Sequence, residues 1–360
     1  PLPLALAGCC WPWPEHGLAP RAPVPSNCLA TLCVRSAWLA LLETLHIPTG
    51  SAVLVSGWTI PDMATLSRAC GLIPVPVDLD GDSACPTVDS CEAAWQACRR
   101  AERPVALVLI AQLFGARHDL GAIADWAHAR NLLCIEDAAQ AFTGDQRWLA
   151  TGVDASLWSF GTIKTATAGG GGILVMRDRS LLDRVARLQA TWPRQDRADW
   201  WRRFCRTATL ALLSRRRIAA WLAPSLWPRL ADAIRGFGKQ IDAERFRRRP
   251  HPALLAMLAR RLRQVSPANL AARAAAGRRL TERLRQRWPV VGDTATQHQH
   301  WVVPLSTPTI ERLAHTARRR GWLLTPPGSL RPLVAPMEVS APCPIIARLA
   351  ETTRILPHAG

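Results

Sequence analysis

The chain has no tyrosine, and among its 45 basic side chains only Lys164 and Lys239 are lysine; every other one is arginine. The first absence leaves no phenol for acid–base work. The second restricts any chemistry that needs a neutral primary amine to two positions, because a guanidinium stays protonated. No run of 18 uninterrupted apolar residues occurs, so a membrane-spanning helix is not supported. The 11 cysteines contain no C-x-x-C spacing, which argues against a zinc cluster and a disulfide framework and fits reduced thiols in a cytoplasm.

What is present is a chain of 360 residues, 49% hydrophobic and 20% charged, with a formal charge of +18. That length suggests two domains, or one large domain with an appendage. The charge invites a nucleic-acid reading. The arginines are spread along the chain, however, and no helix-turn-helix, zinc-finger or RNA-binding signature accompanies them, so no nucleic-acid partner is expected. A positive field also suits anionic metabolites or an anionic membrane surface. The opening "PLPLALAGCC" has a lipobox-like order but no basic region before it, and reads as an incomplete or processed start.

After an irregular Pro/Trp-rich lead-in, a helix is expected from near Leu29 through "LATLCVRSAWLALLETL". Apolar runs then alternate with helical segments. "SAVLVSG", "IPVPVDL", "PVALVLIAQLFG", "LLCIEDA", "ASLWSF" and "GGILVMR" read as buried strands; "DMATLSRACG", "VDSCEAAWQACRRA" and "DLGAIADWAHARN" read as helices. The alternation predicts an α/β domain with a mostly parallel sheet over residues 1–180. Residues 181–250 form an Arg- and Trp-rich stretch, expected as a helical insertion that covers the first domain. Residues 251–360 read as a small α+β domain with strands "HWVVPL" and "WLLTP" and a last helix starting near Pro344.

Lys164 stands between Ser-Phe-Gly and Gly169–Gly172. Its amine points to covalent carbonyl chemistry. Asp137 ends the strand "LLCIED", at the carboxyl edge where an α/β crevice holds ligands, and is placed to pair with the protonated ring nitrogen of pyridoxal phosphate. Ser159 can donate its hydroxyl to a cofactor phosphate, and Gln140, one helical turn beyond Asp137, can reach the ring. The glycines let the backbone turn tightly beside the lysine. His298 and His300 alternate on an expected strand, a spacing that suits a metal, but without a third ligand they read as ordinary surface or substrate-edge histidines and no metal is expected.

"IEDAAQAF" followed by "DASLWSFGTIK" and a glycine run resembles the signature of the DegT/DnrJ family of sugar aminotransferases. The similarity extends through "GWTIPDMATLSRACGLIPVPVDLD", "QLFGARHDLGAIADWAHARNLLCIEDAAQ" and the closing "CPIIARLAETTRILP". The resemblance implies an aspartate aminotransferase-like fold (PLP fold type I), a homodimer, and pyridoxal 5'-phosphate as cofactor. Lys164 would be its Schiff-base lysine and proton shuttle, Asp137 the pyridinium partner, Gln140 a ring contact and Ser159 a phosphate ligand. It also implies an amino-acid donor, glutamate, and a keto acceptor such as a nucleotide-linked keto-sugar. The family's Ser-Gly-Thr phosphate loop falls at Ser36-Ala37-Trp38, so the threonine hydroxyl is lost and backbone N–H groups around Ala37 and Trp38 are left to serve. The stacking aromatic aligns with Ile60, which leaves Trp58 as the substitute. The Asn-x-Arg motif is replaced by "ERFRRRPHPALL", in which an arginine from Arg247 to Arg249 would stand in. The missing phenol must be replaced as well. Two rivals stay open: an enzyme of the same fold with a non-transfer reaction such as dehydration, against which the retained lysine argues, and a non-catalytic basic scaffold that binds anionic polymer or membrane.

Overall fold

The computed structural model describes residues 24–144, 148–213, 242–295, 297–319, 324, 330–334, 336, 339 and 341–357. Lys239, the first 23 residues and most of the expected strand "WLLTP" lie outside them. Strand β1 (Cys28–Thr31) leads into helix α1 (Val34–Leu45). Then follow β2 (Ala52–Ser56), α2 (Pro61–Ala69), β3 (Ile73–Val77), α3 (Val88–Arg100), β4 (Val105–Ala111), α4 (Gly121–His128), β5 (Leu133–Asp137), β6 (Ala155–Ser159) and β7 (Gly172–Met176). These strands form one seven-stranded sheet in the order β1-β7-β6-β5-β4-β2-β3. The pairs from β3 to β6 are parallel, and β7 runs antiparallel to both β6 and β1. The fold is therefore α/β with a mostly parallel sheet, the architecture expected of strands that are apolar along their whole length.

The expected helix from Leu29 begins five residues later. Leu29 and its neighbours pair with Gly172–Val175 at the sheet edge, and Cys33 is extended at φ −169°. Backbone pairing overrides the helical spacing of their side chains there. Helix α1 buries residues on every side, including Trp38, Leu39 and Leu41, as a helix covered all round must. Each such leucine contributes ~1.5–3 kcal/mol relative to exposure.

Helix α5 (Arg179–Thr191) lays Leu181, Leu182 and Val185 into the same core as α1. The boundary that composition places at residue 181 thus falls within a helix that shares the core of the first part. Helix α6 (Arg197–Leu213) continues the Arg/Trp-rich stretch. Beyond the next described turn come α7 (Pro252–Arg263), α8 (Pro267–Arg285), β8 (Val302–Ser306), α9 (Ile310–Arg319), α10 (Pro344–Thr352) and β9 (Thr353–Pro357), with β8 and β9 antiparallel. No helix among the described residues is long and apolar enough to cross a membrane.

The glycine run does more than turn the chain. A side-chain carbon on Gly172 would lie 2.7 Å from the carbonyl carbon of Cys33 and 2.8 Å from Val34 N, and one on Gly170 would lie 3.0 Å from Arg203 Nη1. Glycine there seats the first turn of α1 on the strand backbone and leaves room for the Arg203 side chain of α6.

Candidate active site

Strand alternation sends the last two residues of β5 to opposite faces. Glu136 is fully buried and fully engaged: Arg117 Nε donates to it at 2.9 Å, Arg117 Nη2 at 3.1 Å and Ser156 Oγ at 2.5 Å. Asp137 is only 7% exposed, and its carboxylate accepts one hydrogen bond among the described residues, from Ala139 N at 3.0 Å. Burial pushes its carboxyl up to about 6, against the pull of the Ala139 N–H and the Lys164 charge, while Glu136 adds to the rise. Of the two carboxylates, Asp137 is the one left with capacity for a cationic partner.

Lys164 lies in the turn between β6 and β7, where its N–H donates to Gly161 O at 3.1 Å and its carbonyl accepts from Thr167 N at 3.1 Å. Burial pulls its amine down to about 8; the Asp137 carboxylate resists the fall and the Arg35 charge adds to it. The Nζ stands 4.6 Å from the centroid of the Trp301 indole. That indole's Nε1 donates to Ile163 O at 2.8 Å.

Ser159 ends β6 at the same sheet edge, paired with Gly172, while Asp137 pairs with Leu157 one strand over. Because Gly172 also abuts Val34, the start of α1 comes to this edge. The structure therefore brings together Asp137, Lys164, Ser159 and the first turn of α1.

It places other expected residues elsewhere. Ala37 N already bonds Cys33 O at 3.1 Å, and the Trp38 side chain is fully buried, with Nε1 donating to Met63 O at 3.2 Å and Ser67 Oγ at 3.3 Å. Backbone donors not committed to the helix ladder lie one turn earlier, at Val34, Arg35 and Ser36. Gln140 Oε1 accepts from Phe114 N at 2.9 Å, fixing a residue at φ +61°, and the Phe114 ring meets Trp58 edge-on at 5.5 Å. Trp58 is 1% exposed and belongs to this wall, while Ile60 is half-buried beside it. Arg247 is held by Glu43 at 2.7 Å, and Arg248 by Asp196 at 2.6 Å. Arg249 N donates to Pro193 O at 3.0 Å. His298 and His300 stack at 4.0 Å, with His298 Nδ1 accepting from His300 N at 2.8 Å. Among the described residues no metal-holding group of histidine, cysteine and carboxylate occurs.

Three residues at this edge escape sequence reasoning. Trp301 is remote in sequence and meets Lys164 only through the fold. Arg35 and Arg203 are hidden in a chain that writes arginine almost everywhere.

A buried carboxylate with no ion-pair contact among the described residues, a lysine with a lowered pKa, a hydroxyl and a helix N-terminus on one sheet edge fit the ring nitrogen, aldehyde and phosphate of pyridoxal phosphate. The family model of the DegT/DnrJ/EryC1/StrS aminotransferases matches residues 25–206. GDP-perosamine synthase of Escherichia coli O157:H7 is 32% identical over 148 residues, 41% of this chain and 39% of that protein. L-glutamine:2-deoxy-scyllo-inosose aminotransferase of Micromonospora echinospora is 28% identical over 170 residues, 46% of this chain and 38% of that protein. Both matches span well under two thirds of the relatives' own length. In fold, the chain is similar to the aminotransferase TlmJ of Streptoalloteichus hindustanus, with a TM-score of 0.64 at 20% identity, over 98% of this chain and 90% of that one.

Proposed function

The chain belongs to the DegT/DnrJ/EryC1/StrS aminotransferase family, and from that premise we propose that it is a pyridoxal 5'-phosphate-dependent aminotransferase acting on a sugar-like keto acceptor. The observation that carries this reading is the placement of the buried Asp137 carboxylate and the Lys164 amine together at the carboxyl edge of the parallel sheet, inside the segment the family model covers. The amino donor is glutamate or glutamine. The acceptor is a nucleotide-linked keto-sugar or a keto-cyclitol, as the names of the relatives support.

Bound pyridoxal phosphate supplies an aldehyde that carries the amino group and a ring that accepts electrons when a proton leaves the substrate carbon. Asp137 would pair with the ring nitrogen and favour its charged form. Lys164 Nζ would hold the aldehyde carbon, then take and return the proton; with its pKa near 8, part of the amine is neutral near physiological pH. Ser159 Oγ and the N–H groups of Val34, Arg35 and Ser36 would face the phosphate. Gln140 would act through Phe114, setting the wall that carries Trp58. Trp301 would cover the lysine and keep water from it.

The chain works as a homodimer in the cytoplasm; nine described cysteines are free thiols, which supports a reducing compartment. Its parts divide as a cofactor domain over 1–180 joined by helix α5, an Arg/Trp-rich stretch ending at 250, and a small domain over 251–360. The test is amine transfer from isotopically labelled glutamate or glutamine to a panel of keto-sugar nucleotides and 2-deoxy-scyllo-inosose. Transfer that Lys164→Arg abolishes is expected; transfer surviving that substitution, or none to any acceptor, contradicts the reading.

A further inference from the structure

The threonine hydroxyl missing from the phosphate loop is replaced by Trp38, whose side chain points into the core. Helix α1 gains no side-chain cap from Cys33. Two guanidinium groups stand at that edge instead. Arg35, in the first turn of α1, is fixed by Asp62 at 2.6 Å. Arg203, from α6, lies against Gly170, two residues before the Gly172 that seats α1. A hydrogen bond at 3.2 Å between Thr162 Oγ1 and Thr207 Oγ1 ties the same helix to the Lys164 turn.

We propose that Arg35 and Arg203 form the seat for the phosphate group of the cofactor, so that α6 takes part in cofactor binding. The proposal rests on the reading of Lys164 and Asp137 as the cofactor site. Among the described residues Arg203 has no carboxylate within ion-pair distance, although it is largely withdrawn from water and faces the Arg35 charge. Burial, with Arg35 and Arg206 adding, pulls Arg203 below the usual guanidinium range, against Cys33 and Asp199. At the Cys33 thiol, burial alone would raise the pKa; Arg35, the Ser36 hydroxyl, Arg203 and the Ser36 N–H together overcome it and bring the thiol down. Two guanidinium groups beside an uncapped helix N-terminus make a place that suits an anion. A phosphomonoester fits the requirement: it carries up to two charges, accepts paired N–H donors from arginine, and completes the donors left at the helix end. Asp62 keeps Arg35 in place, while Arg203 has its charge to offer.

The experiment titrates the purified full chain with pyridoxal 5'-phosphate and with pyridoxal, following absorbance, in wild type, Arg203→Gln and Arg203→Lys. Wild type should prefer the phosphorylated compound by about a hundredfold, with inorganic phosphate competing against it but not against pyridoxal. Arg203→Gln should cut that preference about tenfold while pyridoxal affinity stays within about twofold, and Arg203→Lys should fall between, because it keeps charge and loses the paired donors. An unchanged preference overturns the proposal, as does equal weakening of both ligands. Should Arg203→Gln not fold, the preference of Arg203→Lys and the phosphate competition in wild type decide in the same way. A wild-type chain in which borohydride fixes no pyridoxal phosphate on Lys164 sinks the underlying site reading. That failure is told apart because an intact Lys164 adduct with an unchanged preference removes only the role of the arginines.

Discussion

Lys164 and Trp301 hold each other at two points: the ammonium faces the indole at 4.6 Å from its centroid, and the indole N–H bonds the carbonyl of Ile163, the residue before the lysine. The ring covers the amine while its edge fixes the backbone that presents it. Because burial is the leading cause of the lowered Lys164 pKa, Trp301→Ala should admit water and move the amine upward from about 8 toward its ordinary 10.5. Competitive labelling of Lys164 across pH, read by mass spectrometry, measures this; a midpoint that stays or falls contradicts the assignment of burial as the cause.

Asp137→Asn removes the carboxylate that resists the fall in the Lys164 pKa, so the lysine midpoint should drop below about 8. Amine transfer should fall on the order of a hundredfold, the scale on which a preorganised electrostatic contact matters. Unchanged turnover with an unchanged lysine midpoint would place the acid elsewhere.

The same carboxylate sets a pH dependence in the chain without cofactor. Its folded pKa is raised from 3.8 to about 6, so the folded state binds the extra proton; the stability this contributes is present below 3.8 and lost as pH rises through 6. Lys164 runs the other way: its folded pKa is lowered from 10.5 to about 8, so stability rises with pH across that window. Asp137→Asn should remove a loss on the order of 2 kcal/mol between about pH 4 and pH 7. Urea midpoints at the two pH values test it, and a variant with the wild-type slope contradicts it.

The glycine run offers a steric test. Gly172→Ala would place a carbon 2.7 Å from the backbone of Cys33, which has no flexible group to yield. A loss of about 1–3 kcal/mol is expected, together with weaker binding of pyridoxal 5'-phosphate as the first turn of α1 is displaced. Thermal unfolding checks the first, and stability equal to wild type contradicts the close approach.

The parallel strands are legible because strands covered on both faces are apolar throughout; Asp137 and Ser159 end their strands, and Lys164 follows in the turn after β6, within the spacing that carries the family resemblance. Strand β1 is not legible, since its pairing with Gly172–Val175 is made by backbone groups that side-chain spacing does not report. Trp38 looked like a phosphate-loop residue by position, but the helix turns its indole onto Met63 and Ser67. Arg247 and Arg248 are taken up by Glu43 and Asp196, partners distant in sequence that no local pattern reports. Arg203 lay in a stretch whose composition suggested only a cover, and Trp301 reaches Lys164 through tertiary packing that no local pattern encodes.

The role proposed for Lys164 requires an amine that can be neutral and bond a carbonyl carbon, which arginine cannot supply. Wild-type chain supplied with pyridoxal 5'-phosphate, reduced with borohydride and mapped by peptide mass, should carry the label on Lys164. Lys164→Arg should carry none while still binding the cofactor noncovalently, and Lys239→Arg should behave as wild type. A label on Lys239, or no label in the wild-type chain, would contradict the account.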